Sequence, residues 1–347
     1  MKIRLLTLLL FAGNILSAQI TFIPDSIFEQ RLIDLNHDII HDGWVITDSI
    51  NNIDSLDISS FNFQTDKITD LTGIEGFTNL KYLNCSNNKF DTLNLNNNQY
   101  LKHIICASDS IEVLMIDNLF SLDKLQCNTN NIANLNTSGN PSLTELGCWD
   151  NQLIDLDLSN NIYLGHLFCE ENNITSLDIS MLDLYVLRCQ NNAISSINLN
   201  NNYSLEWLTC YNNNLQNINL TDNTNLILLN VGNVSSQATI YSNNLNFLDL
   251  SNNCNITTFF SKGNPNLECI QVCDLSAANN WNTQNIDTQH SFNIDCNYTD
   301  INEKGKRKQK IISIKDIYGR ETTKSINSTL FYIYQNGKVE KKIILDN

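Results

Sequence analysis

The sequence predicts a solenoid built from short repeats, and three observations support this prediction. A stretch such as LTELGCWDNQLIDLDLSNN, which begins at Leu143, matches itself at a spacing close to 21 residues along most of the chain. Leucines recur at fixed positions within each unit, and a cysteine recurs at the sixth position. Units this short cannot fold on their own, so each must bury its apolar edge against the next.

The repeat reads L-x-x-L-x-C-x-x-N-x-L-x-x-L-x-L, and a leading leucine sets the register of each unit. Successive leading leucines are separated by 21, 21, 21, 21, 20, 21, 21, 19 and 22 residues. We place them at Leu80, Leu101, Leu122, Leu143, Leu164, Leu184, Leu205, Leu226, Leu245 and Leu267. Such regularity predicts a single stack of turns.

Residues 1–19 predict a secretory signal peptide. Lys2 and Arg4 supply the positive start, Leu5 to Leu16 form the apolar run, and small residues follow at the exit. The run is too short to span a bilayer, and no other segment approaches the roughly 20 apolar residues that a spanning helix needs. A buried N-terminal helix is the alternative interpretation. Export would place the 11 cysteines in an oxidising compartment, where disulfides are common.

Residues 20–79 predict an N-terminal cap, because the first unit of a stack must hide its apolar face. Pro24 begins a predicted helix, PDSIFEQRLIDL, whose apolar face includes Phe28 and Leu32. Asp25 and Glu29 near its start suit the positive end of the helix dipole. The segment ITDLTGIEGFTNLKYL then leads into the first regular unit.

The repeats resemble the leucine-rich repeat family, in a form with cysteine at the sixth position that is found in Bacteroidota. The resemblance covers residues 80–272, where at least nine units agree in phase. It implies a parallel β-sheet on the concave face of an arc, with a strand at positions three to seven, and a mostly non-helical convex side. We assign residues 80–266 to the leucine-rich repeat solenoid and 267–298 to a C-terminal cap.

The sixth-position cysteines are predicted to be structural free thiols, because they point into the core with the leucines and behave as small hydrophobes. One thiol per turn without a neighbouring histidine does not resemble a zinc site, so no metal is expected. Stacked Cβ atoms lie near the strand spacing, beyond the roughly 3.8 Å that a disulfide favours. This ladder comprises Cys85, Cys106, Cys127, Cys148, Cys169, Cys189 and Cys210.

Asparagines at two further positions are predicted to satisfy buried backbone groups at the turns. The ninth-position ladder comprises Asn88, Asn130, Asn151, Asn172, Asn192 and Asn213, with Asp109 substituting once. The second ladder comprises Asn98, Asn140, Asn161, Asn202 and Asn223. We interpret both as structural positions.

The remaining four cysteines leave the ladder and permit three pairings, between which their spacing does not choose. The stretches NPNLECIQV and SFNIDC resemble the ending of leucine-rich repeat proteins from Bacteroidota. This resemblance implies a disulfide between Cys269 and Cys296. Cys254 and Cys273 would then form the remaining pair.

After a basic linker at residues 299–309, residues 310–347 read as short strands, with a hairpin signal at Asn336-Gly337. The stretches DIYGRE, LFYIY and GKVEKKII resemble the C-terminal sorting domain of the type IX secretion system. The resemblance implies partnership with that machinery, passage across the outer membrane, removal of the domain, and a product that is anchored on the surface or released. A stabilising all-β cap is the alternative.

The concave face is where side chains are free to vary, and large ones gather in its middle units. Exposed aromatics with an arginine are typical of binding hot spots. The alternative is that they only shield the sheet and pack on each other. The predicted partner-binding residues are Trp149, His166, Phe168, Arg188, Trp207 and Tyr211.

Charge and motifs restrict the function further. Residues 20–298 carry 8 Lys+Arg against 31 Asp+Glu, a net of −23, which disfavours nucleic-acid binding. No phosphate loop, H-E-x-x-H motif or nucleophile elbow appears, so neither an enzyme nor a cofactor is expected. Glu170 and Glu171 are expected to be solvated edge charges. The sequence thus predicts a secreted or surface-located protein for adhesion or protein recognition; glycan binding through Trp149 and Trp207, or a passive structural role, are the alternatives.

Overall fold

The computed structural model describes residues 19–60, 66–232, 243–278, 281–296, 311–315, 318–322, 328–334 and 339–344. The chain divides into two compact units, Met1–Cys296 and Asn297–Asn347. The predicted signal peptide, apart from Gln19, and the predicted linker at 299–309 lie outside the described residues.

Among the described residues of the first unit, the first half contains nine strands of three residues and two helices. They are β1 Ile20–Phe22, α1 Ser26–Asp34, β2 Trp44–Ile46, α2 Thr47–Ile50, β3 Ser55–Asp57, β4 Tyr82–Asn84, β5 Thr92–Asn94, β6 His103–Ile105, β7 Val113–Met115, β8 Lys124–Gln126 and β9 Glu145–Gly147. A 3₁₀ turn at Ile74–Gly76 precedes β4.

The second half of this unit contains eight more strands and one short helix. They are β10 His166–Phe168, β11 Val186–Arg188, β12 Trp207–Thr209, β13 Leu228–Asn230, β14 Leu248–Leu250, β15 Thr258–Phe260, β16 Cys269–Val272, α3 Leu275–Ala278 and β17 Ser291–Asn293. A second 3₁₀ turn lies at Thr283–Asn285.

Ten strands form one parallel sheet, in the order β3-β4-β6-β8-β9-β10-β11-β12-β13-β15. Equivalent residues of successive repeats pair in register, as Leu146 does with Leu167 and Leu167 with Leu187. The middle side chain of every strand in this sheet is buried. The side chains on either side point away from the core, as expected for alternation along a strand. We call this outward surface of the sheet the sheet face.

The leucines and the sixth-position cysteines form one continuous hydrophobic core along the first unit. All seven ladder thiols are buried and none is paired in a disulfide. Their burial disfavours the thiolate, and it raises the pKa of Cys127 and of Cys210 to about 12. Because the thiolate is the reactive form, these cysteines are chemically protected in the folded chain.

We expect iodoacetamide at pH 8 to leave the seven ladder cysteines unmodified in the folded protein and to alkylate them after unfolding in urea. The reason is that burial both blocks access and suppresses ionisation. Peptide mass spectrometry without reduction measures both states. Disulfides between consecutive ladder cysteines would contradict this prediction.

The ninth-position asparagines bind one turn of the solenoid to the turn before it. Asn151 Nδ2 donates to the backbone oxygens of Cys127, Cys148 and Trp149 at 3.1, 3.1 and 3.2 Å. Its Oδ1 accepts from the backbone N–H of Ile132 at 3.0 Å. Each amide therefore satisfies buried groups from two turns at once, which an apolar side chain could not do.

The residue just before each ladder position has a left-handed backbone. In seven consecutive units its φ lies between 50° and 62°, a conformation that costs energy for residues other than glycine. Thr129, with φ of 56°, is the least suited of these because its side chain is β-branched. The asparagine bonds that follow hold this strained turn in place.

Asp109 is the exception in the ninth-position ladder. It is fully buried; its Oδ1 accepts from the backbone N–H of Asn88, and its Oδ2 has no hydrogen-bond partner. Burial raises the pKa of this carboxyl from 3.8 to about 7, against the opposing effects of the Asn88 bond and the Lys67 charge. In the other turns the ladder amide donates hydrogen bonds to backbone carbonyl oxygens. A carboxylate cannot donate these bonds, whereas the neutral acid can donate one.

Two repeat boundaries differ from the sequence-based assignment, at Leu245 and at Leu267, because β16, which follows Leu267, pairs with β14 and lies outside the ten-stranded sheet. Leu245 was expected to lead a unit, but β14, which follows it, is not part of the ten-stranded sheet. Strand β13 pairs directly with β15, so Leu229 aligns with Phe259. Ile256 therefore occupies the leading position, while Leu245 belongs to the second half of the preceding turn. Asn243 takes the ninth position, since its Nδ2 donates to the Cys210 oxygen at 3.0 Å.

Helix α1 lies at the N-terminal end of the solenoid. Asp25 caps it, with Oδ1 accepting from the backbone N–H groups of Ile27 and Phe28 at 2.9 and 3.0 Å. The side chains of Phe28 and Leu32 are buried within the continuous core. Strands β1 and β2 pair as an antiparallel two-stranded sheet beside the helix.

Besides the two-stranded parallel sheet β5-β7, a three-stranded parallel sheet, β14-β16-β17, lies towards the C-terminal end of the first unit, together with two disulfides. Cys254 pairs with Cys273 and Cys269 with Cys296, with Cα separations of 5.7 and 6.0 Å. Trp281 is buried there, and its ring centroid lies 4.6 Å from that of Phe259. Its indole N–H donates to the backbone oxygen of Ile256.

The second unit contains one antiparallel sheet in the order β18 Ile311–Lys315, β19 Ser328–Tyr334 and β20 Val339–Ile344. Leu330 and Tyr332 are its buried residues among those described. The turn predicted at Asn336-Gly337 lies outside the described residues. Across the described parts of both units, no helix has the length and apolar character to cross a membrane.

Candidate binding surface

Five of the six residues selected from the sequence form two neighbouring groups on the sheet face, and Tyr211 belongs to neither. Strands β9 to β12 carry them or directly precede them. Trp149, Phe168 and Arg188 contact one another in series, whereas His166 and Trp207 line an open pocket. Tyr211 lies beyond β12 and is partly buried.

The first group is a packed aromatic–arginine cluster formed by Trp149, Phe168 and Arg188. The Trp149 and Phe168 rings meet edge to face, with centroids 6.3 Å apart and planes inclined by 76°. The Arg188 guanidinium carbon lies 5.7 Å from the centroid of the Phe168 ring. Each such contact contributes on the order of 0.5–1 kcal/mol, so the cluster is ordered before any partner arrives.

Gly147 makes room for this cluster. A Cβ atom at this position would lie 2.7 Å from Cζ3 of Trp149, so any larger residue would displace the indole. The backbone oxygen of Trp149 also accepts a bond from Asn151, at 3.2 Å. The hydrogen bond from Asn151 thus fixes the backbone of Trp149, and the absence of a side chain at Gly147 leaves room for the indole ring.

Glu170 is not the solvated edge charge that the sequence suggested. It is only 8% exposed, its Oε2 has no hydrogen-bond partner, and its Oε1 lies 3.9 Å from Nη1 of Arg188. Burial raises the pKa of Glu170, although the Arg188 charge opposes this effect. Glu171, by contrast, is exposed. Burial, followed by the Glu171 charge, raises the pKa of Tyr211.

The second group forms an open pocket of about 450 Å³, lined by His166, Tyr185, Val186, Glu206 and Trp207. His166, Val186 and Trp207 are in register on three adjacent strands. The short valine forms the floor between two rings. The rings of His166 and Tyr185 stack with centroids 6.0 Å apart, so together they make one wall.

Three pocket residues were not selected from the sequence: Val186, which is small, and Tyr185 and Glu206, which occupy the second repeat position, outside the strand. The signal that could have identified Tyr185 is Gly165 at the second position of the preceding unit. A Cβ atom there would lie 3.2 Å from Cδ2 of Tyr185. Glycine therefore lets the tyrosine ring lie across the edge of the sheet face.

Two further pairs of polar side chains on the sheet face contact each other. Lys124 Nζ lies 3.0 Å from Glu145 Oε2, and His103 Nε2 lies 3.3 Å from Asp123 Oδ2. In the described part of the chain, no group of three or more His, Cys, Asp or Glu side chains is arranged to hold a metal ion. The two groups above are therefore the main candidates for partner contact.

Comparison with known proteins identifies the class of solenoid. No family model matches the sequence, and no curated protein matches it. Among solved structures, it is similar to the functional domain of InlJ from Listeria monocytogenes, which includes a cysteine ladder. The two are 27% identical, with a TM-score of 0.55, over 79% of this chain and 68% of that one.

Two further solved structures are similar to this chain. The plant peptide hormone receptor RGFR1, solved in complex with RGF2, is 19% identical over 65% of this chain and 37% of that one, with a TM-score of 0.52. The internalin InlF of Listeria monocytogenes is 22% identical over 75% and 87%, with a TM-score of 0.46. The first unit is accordingly a β-solenoid of the leucine-rich repeat type, and its structural neighbours are leucine-rich repeat proteins.

Proposed function

We propose that this chain is an exported recognition protein that binds a protein partner through the sheet face, which is the concave face of its solenoid. One observation carries the proposal: ordered aromatic side chains and an open pocket lie side by side on β9 to β12. Aromatic and arginine side chains on a rigid support dominate protein interfaces. The hormone-bound state of RGFR1 gives an example of ligand recognition by a solenoid of this type.

Protein recognition is favoured over glycan binding because the two tryptophans are not equivalent. Trp149 packs against Phe168 and lies over Gly147, whereas Trp207 is 45% exposed at the pocket. Two similarly exposed indoles, each stacked on a sugar, would be needed for the glycan alternative. Glycan binding is therefore an outcome of the test below.

The test compares the full chain with a Trp149→Ala/Trp207→Ala variant on purified extracellular matrix proteins and on a glycan array. Trp44→Ala is the matched control, because Trp44 is 44% exposed but lies in β2 of the N-terminal region. We expect a bound protein to lose at least about 30-fold in affinity with the double variant and to keep its affinity with the control. Binding only to glycans, or equal protein binding by all three, would reject the proposal.

The export part of the proposal rests on sequence resemblance. Residues 1–19 would direct the chain across the inner membrane, and residues 310–347 would engage the type IX secretion machinery. The product would then be anchored on the cell surface or released. Deletion of residues 310–347 should leave the protein in the periplasm, as measured by fractionation. Surface delivery of the truncated chain would refute this part.

We also propose that α1 and the surrounding residues 20–79 act as a cap. The buried side chains of Phe28 and Leu32 support this role, because they cover the end of the core. Asp25 adds a connection to the neighbouring loop, since its Oδ2 accepts from the backbone N–H groups of Thr69 and Asp70 at 2.8 and 3.1 Å. The cap would keep the first turn from associating with other chains.

A further inference from the structure

We infer that the pocket between His166 and Trp207 accepts a cationic side chain, arginine in preference to lysine, from a basic segment of the partner protein. The inference rests on the proposed function and specifies its chemistry. Three observations support it: the shape of the pocket, a Glu206 side chain that forms no ion pair with a described cationic residue, and the net negative charge of residues 20–298.

The pocket is a notch one side chain wide. His166 and Trp207 flank Val186 on adjacent strands, so their backbones lie about 10 Å apart, twice the usual strand spacing. The valine is too short to fill the space between the rings. Tyr185 extends the His166 wall outward. A flat or slender group can therefore enter between an indole on one side and a stacked ring pair on the other.

Glu206 gives the notch its charge. It lines the pocket and is exposed, and among the described residues no cationic side chain forms an ion pair with it. Two cationic side chains of the sheet face have other partners, since Arg188 lies near Glu170 and over Phe168, and Lys124 pairs with Glu145. The carboxylate is thus available to a ligand.

A cation satisfies both the rings and the carboxylate. A guanidinium group can lie against the face of Trp207 and donate two hydrogen bonds to Glu206 from the same plane. An ammonium group gains the charge contact but stacks less well. An apolar side chain would desolvate the carboxylate without compensation, and an anion would be repelled by it.

The net charge of residues 20–298 also favours a basic partner segment. Residues 20–298 carry 8 Lys+Arg and 31 Asp+Glu, a net of −23. Such a field attracts basic segments and accelerates their encounter with the surface, in a manner that weakens with salt. The negative electrostatic field alone does not determine where a basic segment binds, whereas the pocket provides a specific position for one side chain.

The test uses capped tripeptides Gly-Arg-Gly, Gly-Lys-Gly, Gly-Gln-Gly and Gly-Glu-Gly added to the full chain. The readout is the indole N–H resonance of Trp207, assigned by its loss in Trp207→Phe. We expect saturable shifts with Gly-Arg-Gly and a Kd on the order of millimolar, as suits a single side chain. Gly-Lys-Gly should bind more weakly, and the other two should produce no saturable shift.

Glu206→Gln should weaken Gly-Arg-Gly binding about tenfold, because it removes the charge-assisted bonds but keeps the shape. Glu112→Gln makes the same charge change at an exposed residue away from the sheet face and should leave binding unchanged. Equal binding of Gly-Gln-Gly, absence of any saturable shift, or an unaltered affinity in Glu206→Gln would overturn the inference. With any of those results, the proposed function would still hold if Trp149→Ala/Trp207→Ala loses its affinity for a protein partner.

Discussion

Asp109→Asn is expected to stabilise the folded chain at pH 8 and to have little effect at pH 4. In the unfolded chain the carboxyl ionises near 3.8, whereas in the fold its pKa is about 7. Between these values the folded state holds the extra proton, so stability falls as pH rises through this window. A difference of that size corresponds to at most about 4 kcal/mol. Asparagine removes the penalty and restores the donor found in the other units.

Urea unfolding followed by circular dichroism at pH 4, 6 and 8 measures this effect. Asp150→Asn is the matched control, because Asp150 is exposed in the next turn but one and also has a left-handed backbone that asparagine tolerates. The wild-type chain should lose stability relative to Asp109→Asn as the pH rises. If the unfolding free energies of the wild type and Asp109→Asn differ by the same amount at all three pH values, Asp109 does not titrate as proposed.

Asn151→Leu is expected to destabilise the solenoid by about 4 kcal/mol or more. The substitution leaves the Ile132 N–H, which donates to Asn151 Oδ1 at 3.0 Å, without its acceptor and weakens the bonding of the Cys127, Cys148 and Trp149 oxygens. Each buried polar group left unsatisfied costs about 1–3 kcal/mol. Because the bonds cross between turns, the loss falls on the interface that holds a repeat stack together.

The same urea titration measures this loss, with Asn131→Leu as control. Asn131 is exposed, and its two side-chain bonds are long: Nδ2 donates to the Ser110 oxygen at 3.3 Å, and Oδ1 accepts from Gln152 Nε2 at 3.4 Å. Asn151→Asp provides a second check, because its neutral form can donate once; it should be more stable at pH 4 than at pH 8. If Asn151→Leu unfolds at the urea concentration of the control, the ladder bonds do not stabilise the turns.

The repeat core could be predicted because burial forces the same residue types to recur. Leu146, Cys148 and Asn151 each have counterparts in neighbouring turns, and each is buried as its position implies. Prediction failed at Leu245 and Leu267 because the L-x-x-L-x pattern occurs twice in every unit, followed by cysteine in the first half and by leucine in the second. Once the cysteine is missing, leucines alone do not distinguish the first half of a turn from the second. The ladder amide of Asn243 does distinguish them.

The binding surface was predicted in part. Alternation along the strands placed Trp149, Phe168 and Trp207 at the sheet face, but which rings touch depends on packing between strands. Tyr185 and Glu206 lie just before their strands, where the repeat pattern does not predict in which direction a side chain points. The burial of Glu170 was also hidden, since it results from neighbours on other turns, among them Arg188.

The ladder bonds of Asn151 lie within its own turn or reach the adjacent one, and this has a consequence for how such a protein can change over evolutionary time. A whole repeat gained or lost brings its own amide and leaves the bonding of the others intact. The pocket needs three consecutive strands, from His166 to Trp207. Duplication elsewhere in the stack would therefore lengthen the protein while carrying the pocket along unaltered. Within those three strands, the addition of even one turn would separate the walls and abolish the notch.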